Sequence, residues 1–301
     1  MISLFTIPKP FTGHVGLIQR NALRSWARLA PDVQVIVCGD EPGCAAVTEE
    51  IGAERTGAVE RNAYGTPLLN DAFAKAEAAA RHEVLAYANA DIVLLEDLVA
   101  SVRRVAMKRW LMIGRRVDLD VIRALSNADL EPPAGIRRWA RREGSMHGCG
   151  GMDYFVWPRS ARLCDLPELA VGRPGWDNYF VWRARYERRL PVIDASQSVL
   201  AIHQNHDYAH VPGGDGRNYD GPEADAQRAR LGDREASIFD ATHVLTPGGL
   251  ARSRGYEYRY ARWKRRRATR ALLNAERFLG RTTHAPRRAV RRAIGGLREA
   301  A

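Results

Sequence analysis

The sequence predicts an α/β protein with a mostly parallel central sheet flanked by helices. Short apolar runs that suit buried strands, at 2–7, 33–38 and 84–88, alternate with longer segments of helical spacing. Strand and helix in alternation are typical of a parallel sheet with helices on its faces. The length of 301 residues and the 46% of hydrophobic residues suffice for one large α/β domain or two small ones.

The other elements follow from the same two periodicities and from the positions of proline and glycine. Pro8 and Pro10 end the first strand, and a loop with Gly13 and Gly16 follows it. Helices are predicted over 17–29, 45–51, 68–81 and 95–108. Strands are predicted over 110–114, 152–157, 190–193 and 199–203, charged helices and loops over 118–143, and an aromatic helix over 179–186.

Three of the predicted strands end in polar or turn-forming residues. These are Thr6, Ile7 and Pro8 after the first strand, Asp40 and Glu41 after the second, and Asn89, Ala90 and Asp91 after the strand at 84–88. Ligands of open parallel sheets bind beyond the carboxyl ends of the strands. The sequence therefore predicts one pocket lined by these three loops, which we call the strand-end rim.

Asp91 is a single carboxylate at the end of a buried strand. Such a group is costly to bury unless something pairs with it, and a divalent cation such as Mg²⁺ or Mn²⁺ is one suitable partner. An N-cap of the helix predicted over 95–108 is the equally weighted alternative. The residues around Asp91 do not decide between these two interpretations.

The charge is divided unevenly along the chain. Residues 252–301 hold 16 Lys and Arg against 3 Asp and Glu, which gives +13, so residues 1–251 have 30 against 32 and a net charge of −2. We therefore divide the chain into a globular domain over 1–250 and a basic, partly amphipathic helical tail over 251–301. A nucleic-acid-binding core does not follow from the pI of about 9.9.

The compartment is predicted from the cysteines and the amino terminus. Cys38, Cys44, Cys149 and Cys164 form no CxxC pair, which argues against a structural zinc site or a disulfide scaffold and fits a reducing cytosol. No apolar stretch is long enough to span a bilayer, and the N-terminus has no basic region of the kind that opens a signal peptide. We expect a cytoplasmic protein, with the inner face of the membrane as a candidate site of peripheral attachment.

The order of these motifs resembles the GT-A class of nucleotide-sugar-dependent glycosyltransferases, over about residues 1–210. The segment Gly65 to Asn70, which includes Thr66, is similar to one that precedes the metal motif of that class, and Asn89-Ala90-Asp91 is similar to the Asp-x-Asp motif itself. The resemblance implies that a nucleoside-diphosphate sugar binds to the strand-end rim, Gly65, Thr66, Asn70 and Arg115. It also implies Mn²⁺ or Mg²⁺ bound by Asp91 and His203. Asn89 replaces the first Asp of the motif and would act through its carbonyl oxygen or a water.

The resemblance also implies an acceptor side. Its residues are Gly151, Asp153 and Trp176, with Asp177 as the catalytic base. Alternatives stay open for each: Asp177 as a helix N-cap, Trp176 as a core residue rather than a sugar-stacking face, and Arg115 with Arg116 as solvated surface charges. His203, His206 and His210 have the spacing of a zinc site on a helix, but they follow a strand, where the spacing loses that meaning.

The expected function is transfer of a sugar from a nucleoside-diphosphate sugar to an acceptor hydroxyl, in the synthesis of cell-surface glycans or glycolipids. Residues 286–297 form a basic amphipathic pattern that suits an anionic membrane surface and a lipid-linked acceptor. A solvated helix packed on the body is the second interpretation of the tail, and nucleic acid, whose phosphates attract the same charges, is the third. A non-catalytic binding module, or a transferase acting on modified nucleic acid, is the alternative function.

Overall fold

The computed structural model describes residues 1–206 and 219–265. Contacts divide the chain into one compact unit over Met1–Ser253 and a second that begins at Arg254. The strands are β1 (Ile2–Thr6), β2 (Gln34–Val37), β3 (Glu54–Arg55), β4 (Val84–Ala88), β5 (Ile92–Val93), β6 (Leu111–Ile113), β7 (Arg116–Leu119), β8 (Ser145–Met146), β9 (Tyr154–Pro158), β10 (Val192–Asp194), β11 (Ala201–Gln204), β12 (His243–Thr246) and β13 (Gly249–Arg252). The helices are α1 (Gly13–Trp26), α2 (Cys44–Ile51), α3 (Leu69–Ala79), α4 (Asp97–Arg103), α5 (Asn127–Leu130), α6 (Ala134–Glu143), α7 (Trp176–Trp182), α8 (Pro222–Leu231) and α9 (Tyr256–Lys264).

The described strands form two sheets. The larger runs β13-β12-β10-β6-β9-β4-β1-β2-β3 and is parallel except at β9 and at the β12–β13 pair. The smaller runs β5-β11-β7-β8, with a parallel β11–β7 pair at its centre. The predicted fold class, an α/β protein with a mostly parallel sheet and helices on its faces, is confirmed.

The two faces of the large sheet are covered by different helices. On one face α1, α2 and α4 pack with Leu4, Val35 and Ala86 in a continuous apolar core. On the other face the core is aromatic: Phe73 of α3 lies 4.9 Å, ring centre to centre, from Phe5. Because the strands are buried on both faces, their sequences are continuous apolar runs rather than alternating ones.

Several element boundaries differ from the prediction. α1 begins at Gly13 and not at 17, so Gly13 and Gly16 belong to the first turn of the helix rather than to a loop. A side chain at Gly16 would place its Cβ 2.4 Å from the backbone of Phe11, which explains how the chain can turn into the helix so early. The aromatic helix begins at Trp176, three residues before the predicted start, and continues from Trp182 into a π-helical turn over Arg183–Glu187.

The second unit is described over 254–265, where α9 has no buried residue. No helix among the described residues is long and apolar enough to cross a membrane. The basic amphipathic segment predicted over 286–297 lies outside the described residues, as does His210.

Candidate active site at the strand-end rim

The strand-end rim lies on one edge of the large sheet, as predicted. β1 pairs in parallel with both β2 and β4, so the carboxyl ends of these three neighbours, at Thr6, Val37 and Ala88, point the same way. β9 is antiparallel to β4, so the residues that enter it, Met152 and Asp153, reach the same edge. The edge therefore collects loops that are distant in sequence.

Three side chains at this edge can hold a metal ion. The carboxylate Oδ2 of Asp91 lies 3.2 Å from His206 Nε2 and 3.9 Å from His203 Nε2. One potential ligand atom from each residue lies within 4.8 Å of the others. One carboxylate and two imidazoles form a donor set for a divalent transition metal, and such a set suits Mn²⁺ better than Mg²⁺, which prefers oxygen ligands alone.

The surroundings of Asp91 fit a bound cation. Its Oδ1 is buried and has no hydrogen-bond partner among the described residues, which is costly without a ligand. Burial alone would raise the pKa of Asp91, but the hydrogen bond from His206 and the charges of His203 and Lys9 outweigh burial and hold that pKa well below its usual range. The N-cap alternative is wrong, because β5 separates Asp91 from α4, which begins at Asp97.

His203 is oriented by the small sheet. It lies in β11, in register with Asp118 of β7, and its Nδ1 is 3.1 Å from Asp118 Oδ1, although outside hydrogen-bonding geometry. The Nε2 atom is thereby left on the side of Asp91. Burial lowers the pKa of His203 more than the charge of Asp91 raises it, which favours the neutral imidazole that a metal requires.

The side chain of Asn89 makes two hydrogen bonds within the protein. Its side-chain amide donates a hydrogen bond to Asp153 Oδ1 over 2.6 Å, and its carbonyl oxygen accepts one from the Tyr87 hydroxyl over 3.0 Å. The carbonyl oxygen thus accepts one hydrogen bond and has a second lone pair, and a contact of Asn89 with the metal, through this oxygen or a water, stays a prediction.

Asp153 also has its partners within the protein. Its second oxygen pairs with the guanidinium of Arg116, and the residue is 7% exposed. Both carboxylate oxygens therefore have partners inside the protein, and the place of Asp153 on the acceptor side stays a prediction. Gly151, from the same predicted acceptor side, lies against His147: a Cβ there would be 3.0 Å from the imidazole Nε2.

Arg115 and Arg116 are not solvated surface charges. Arg116 Nε donates to Asp118 Oδ1 over 2.8 Å, and Arg116 also pairs with Asp153. Arg115, predicted to bind the nucleotide, donates from Nε to the carbonyl oxygen of His147 over 2.9 Å. Asp118 and His147, which are 2.8 Å apart from Oδ2 to Nδ1, were not among the predicted site residues. The signal for Asp118 in the sequence was the alternation of charged and apolar residues in β7, whereas His147 follows β8 without such a pattern.

Asp177 lies in the first turn of α7. The N-cap of that helix is Gly175, at φ 83°, so the N-cap alternative for Asp177 is wrong. Asp177 Oδ2 accepts a hydrogen bond from the backbone N–H of Met152 over 3.3 Å. Burial, with a smaller contribution from the charge of Asp153, raises the pKa of Asp177 to about 6. A carboxyl group with this pKa is ionised at neutral pH and still basic enough to accept a proton.

A cleft of about 440 Å³ opens beside Asp177. Its lining residues are Pro174, Gly175, Asp177, Asn178, Tyr219, Arg228, Leu231, Gly232 and Glu235. Trp176 faces the other way: it is 6% exposed and packs edge-on against Tyr87, with ring centres 5.3 Å apart. The core alternative for Trp176 is thus the one that the structure shows, and a stacking face for sugar is not.

The predicted nucleotide side is held together by an arginine. Arg61 pairs with Glu41 and donates to the carbonyl oxygen of Gly65 over 2.8 Å, which joins the loop after β2 to the segment at 61–67. Thr66 is contacted by Arg173, from the loop before α7. Glu41 and Gly65 are therefore connected through Arg61, and Thr66 is connected to the loop before α7 through Arg173.

The remaining predicted nucleotide contacts differ in exposure. Thr6, Ile7 and Pro8 are buried, and Thr6 Oγ1 has no hydrogen-bond partner among the described residues. Asn70 in α3 has a buried Oδ1 that is also without a described partner. Asp40 is exposed at the end of β2. Ala90 is 7% exposed, so the predicted contact with the nucleotide is limited to its backbone.

The sequence matches no protein-family model and no curated protein. The structure is similar to that of glucosyl-3-phosphoglycerate synthase from M. tuberculosis, with a TM-score of 0.46 and 14% identity over 78% of this chain and 80% of that chain. The same enzyme in complex with Mg²⁺ and uridine diphosphate gives 0.43 and 12%, over 78% and 79% of the two chains. Mannosyltransferase PcManGT from Pyrobaculum calidifontis, in complex with GDP-Man and Mn²⁺, gives 0.40 and 14%, over 67% and 56%.

Proposed function

We propose that the protein is a metal-dependent glycosyltransferase that moves a sugar from a nucleoside-diphosphate sugar to an acceptor hydroxyl. The observation that carries this proposal is the group of Asp91, His203 and His206 at the strand-end rim. The charge of Asp153 acts both on His203 of this group and on Asp177, a carboxylate with the pKa of a base. The expected metal is Mn²⁺ or Mg²⁺, and of these two Mn²⁺ fits the imidazole donors better, because Mg²⁺ prefers oxygen ligands alone.

The reaction would use residues on a metal side and on an acceptor side of the site. A cation held by Asp91, His203 and His206 would stabilise the negative charge that develops on the departing diphosphate. On the other side, Asp177 would accept the proton of the acceptor hydroxyl as its oxygen bonds to the sugar carbon. Asp177 lines the cleft of about 440 Å³, which is large enough for an acceptor group beside that carboxylate.

Nucleotide binding that depends on metal is the first test. Uridine and guanosine diphosphates with Mn²⁺ should raise the melting temperature by several degrees, and neither component alone should do so to the same extent. Asp91→Ala should abolish the joint shift, because it removes the only carboxylate of the metal group. Asp32→Ala, at an exposed aspartate, is the matched control. The absence of a shift in the native protein with every common nucleoside diphosphate and metal would contradict the proposal.

We also propose a partner for the tail. Residues 252–301 have a net charge of +13, which suits an anionic membrane surface, and a lipid-linked acceptor would then be presented where the enzyme is held. α9 adds Tyr256, Tyr260 and Trp263 in stacked order, side chains of the kind that favour the interface between water and lipid.

A further inference from the structure

Lys9 follows directly on the first segment of the strand-end rim and is held there by its backbone. Its N–H donates to Gln19 Oε1 over 2.7 Å, and Gln19 Nε2 donates back to its carbonyl oxygen over 2.9 Å. Gln19 is 2% exposed, so the clamp is fixed to the core side of α1. Pro8 and Pro10 restrict the chain on either side. The position of Lys9 is therefore as well defined as that of a residue in a strand.

The charge on Lys9 is poorly compensated within the described protein. β1 and β4 pair in parallel with Phe5 beside Tyr87, so the loops that carry Lys9 and Asp91 leave the sheet side by side. The side-chain amide of Gln204 joins them, because it donates to the carbonyl oxygens of Ile18 and Asp91. Burial lowers the pKa of Lys9, and the charge of Asp91 raises it. Among the described residues, Asp91 acts on Lys9 through its charge and not through a hydrogen bond. A partly desolvated ammonium without a direct partner is costly, and this cost is relieved when an anion binds beside it.

Asp91 links Lys9 to the metal group. When a cation is bound, the carboxylate of Asp91 is shared with that cation, and less of its charge is left to stabilise Lys9. The ammonium group would then have its three donors available for a ligand that binds at the same edge of the sheet. The ligand that satisfies both charges is one with several anionic oxygens in a row, as in a diphosphate.

We infer that Lys9 is a binding residue for the diphosphate of the sugar donor, placed beside the metal by the Gln19 clamp. This inference rests on the proposed function. A divalent cation contributes two positive charges, and the carboxylate of Asp91 cancels one of them. Lys9 would compensate the part of the diphosphate charge that then remains. A Lys side chain suits this task because its compact charge can follow either phosphate group.

Calorimetric titration of Lys9→Met separates this role from a structural one. With Mn²⁺ present, the affinity for uridine or guanosine diphosphate should fall about tenfold to hundredfold, as for the loss of a charged hydrogen bond. The loss for the corresponding monophosphate should be smaller. Lys9→Arg keeps the charge and should recover part of the affinity. Lys108→Met, at an exposed lysine, should bind like the native protein.

Titration with Mn²⁺ alone gives a second readout that does not depend on nucleotide. Lys9→Met should bind Mn²⁺ at least as tightly as the native protein, because a positive charge near Asp91 has been removed. A loss of Mn²⁺ binding as large as that of Asp91→Ala would show that Lys9 only supports the metal group, and would overturn the inference. So would diphosphate affinity within twofold of the native value. If the native protein binds Mn²⁺ but no diphosphate, the proposed function fails together with the inference, whereas unchanged binding in Lys9→Met alone overturns only the inference.

Discussion

At the scale of single residues, Asn89 determines how the acidic groups of the site are spaced. Its amide donates to Asp153 over 2.6 Å, and Asp153 in turn pairs with Arg116. An acidic side chain at position 89 would face the carboxylate of Asp153 at hydrogen-bonding distance. The departure from the Asp-x-Asp pattern is thus matched by a second residue 64 positions away, and His206 belongs to the group of three side chains that can hold a metal ion.

We predict that Asn89→Asp, which restores the Asp-x-Asp pattern, weakens the protein rather than improving its metal site. The added charge beside Asp153 and the lost hydrogen bond should cost about 1–3 kcal/mol of the free energy of unfolding. Differential scanning calorimetry should show a melting temperature lower by several degrees, and titration should show no gain in Mn²⁺ affinity. The double variant Asn89→Asp, Asp153→Asn restores one amide and one carboxylate and should recover much of the loss. Tighter Mn²⁺ binding at unchanged stability would contradict this interpretation of Asn89.

The ionisation of Asp177 should determine the acidic limb of the pH profile of kcat/KM. Since burial raises its pKa to about 6, the ionised base is lost as the pH falls below that value, and kcat/KM should fall about tenfold per pH unit there. Asp177→Asn should remove the limb and lower kcat by about 10²–10⁴-fold, with nucleotide binding retained. Asp165→Asn, at a side chain that is 83% exposed, is the control. Full activity in Asp177→Asn would exclude the role of base.

The same raised pKa has a consequence for stability. The folded protein holds the proton of Asp177 between about pH 4 and 6, where the unfolded chain has lost it, so the stabilisation that this proton gives at low pH is lost as the pH rises through about 6. Above that pH, Asp177→Asn should be more stable than the native protein by about 1–2 kcal/mol. Urea titrations at pH 5 and pH 8 would measure the difference. A gain in stability that accompanies a loss of turnover is what distinguishes a functional carboxylate from a structural one.

At the scale of elements, what the sequence could predict depended on burial. β1, β2 and β4 are buried on both faces and read as apolar runs, so these strands and the common edge at which they end were predicted correctly. β7 was assigned to helices and loops because it is four residues long and half of them are charged. Its strict alternation places Arg116 and Asp118 on one face, where they build the support of the site. The pattern was present, but four residues are too few to separate it from a charged loop.

The contacts that complete the site join residues far apart in the sequence. Asn89 and Asp153 meet because β9 runs antiparallel to β4, and Asp118 meets His203 because β7 and β11 are neighbours in the small sheet. Strand order in a sheet is decided by the packing of the whole domain, and no single segment contains it. The sequence could therefore indicate Asp91 and His203 through a family resemblance, but the contacts that orient them emerged only from the folded chain.

At the scale of the whole molecule, charge separates the two parts of the chain more sharply than any local motif. Residues 1–251 have a net charge of −2, so the compact unit has no excess of positive charge for non-specific attachment to anions. Residues 252–301 have +13 over fifty positions. The described start of this region, α9, is an exposed helix in which aromatic and basic side chains are interleaved. We therefore expect residues 252–301 to determine the affinity for an anionic surface, and the compact unit to determine the catalytic activity.

We predict that the full chain sediments with vesicles of phosphatidylcholine and phosphatidylglycerol and does not sediment with phosphatidylcholine alone. Each basic residue near such a surface contributes about 1 kcal/mol at most, and the attraction falls as salt shortens the Debye length, so binding should be largely lost between 50 mM and 500 mM NaCl. A chain ending at Ser253 should stay in the supernatant yet keep the melting shift with Mn²⁺ and nucleoside diphosphate, because the compact unit ends there. Tyr256→Ser with Trp263→Ser should weaken vesicle binding at low salt without altering its salt dependence, since the charges remain.

Equal sedimentation of the full and shortened chains would contradict the membrane proposal. Tighter, salt-dependent binding of the full chain to duplex DNA than to the anionic vesicles would favour nucleic acid as the partner of the tail.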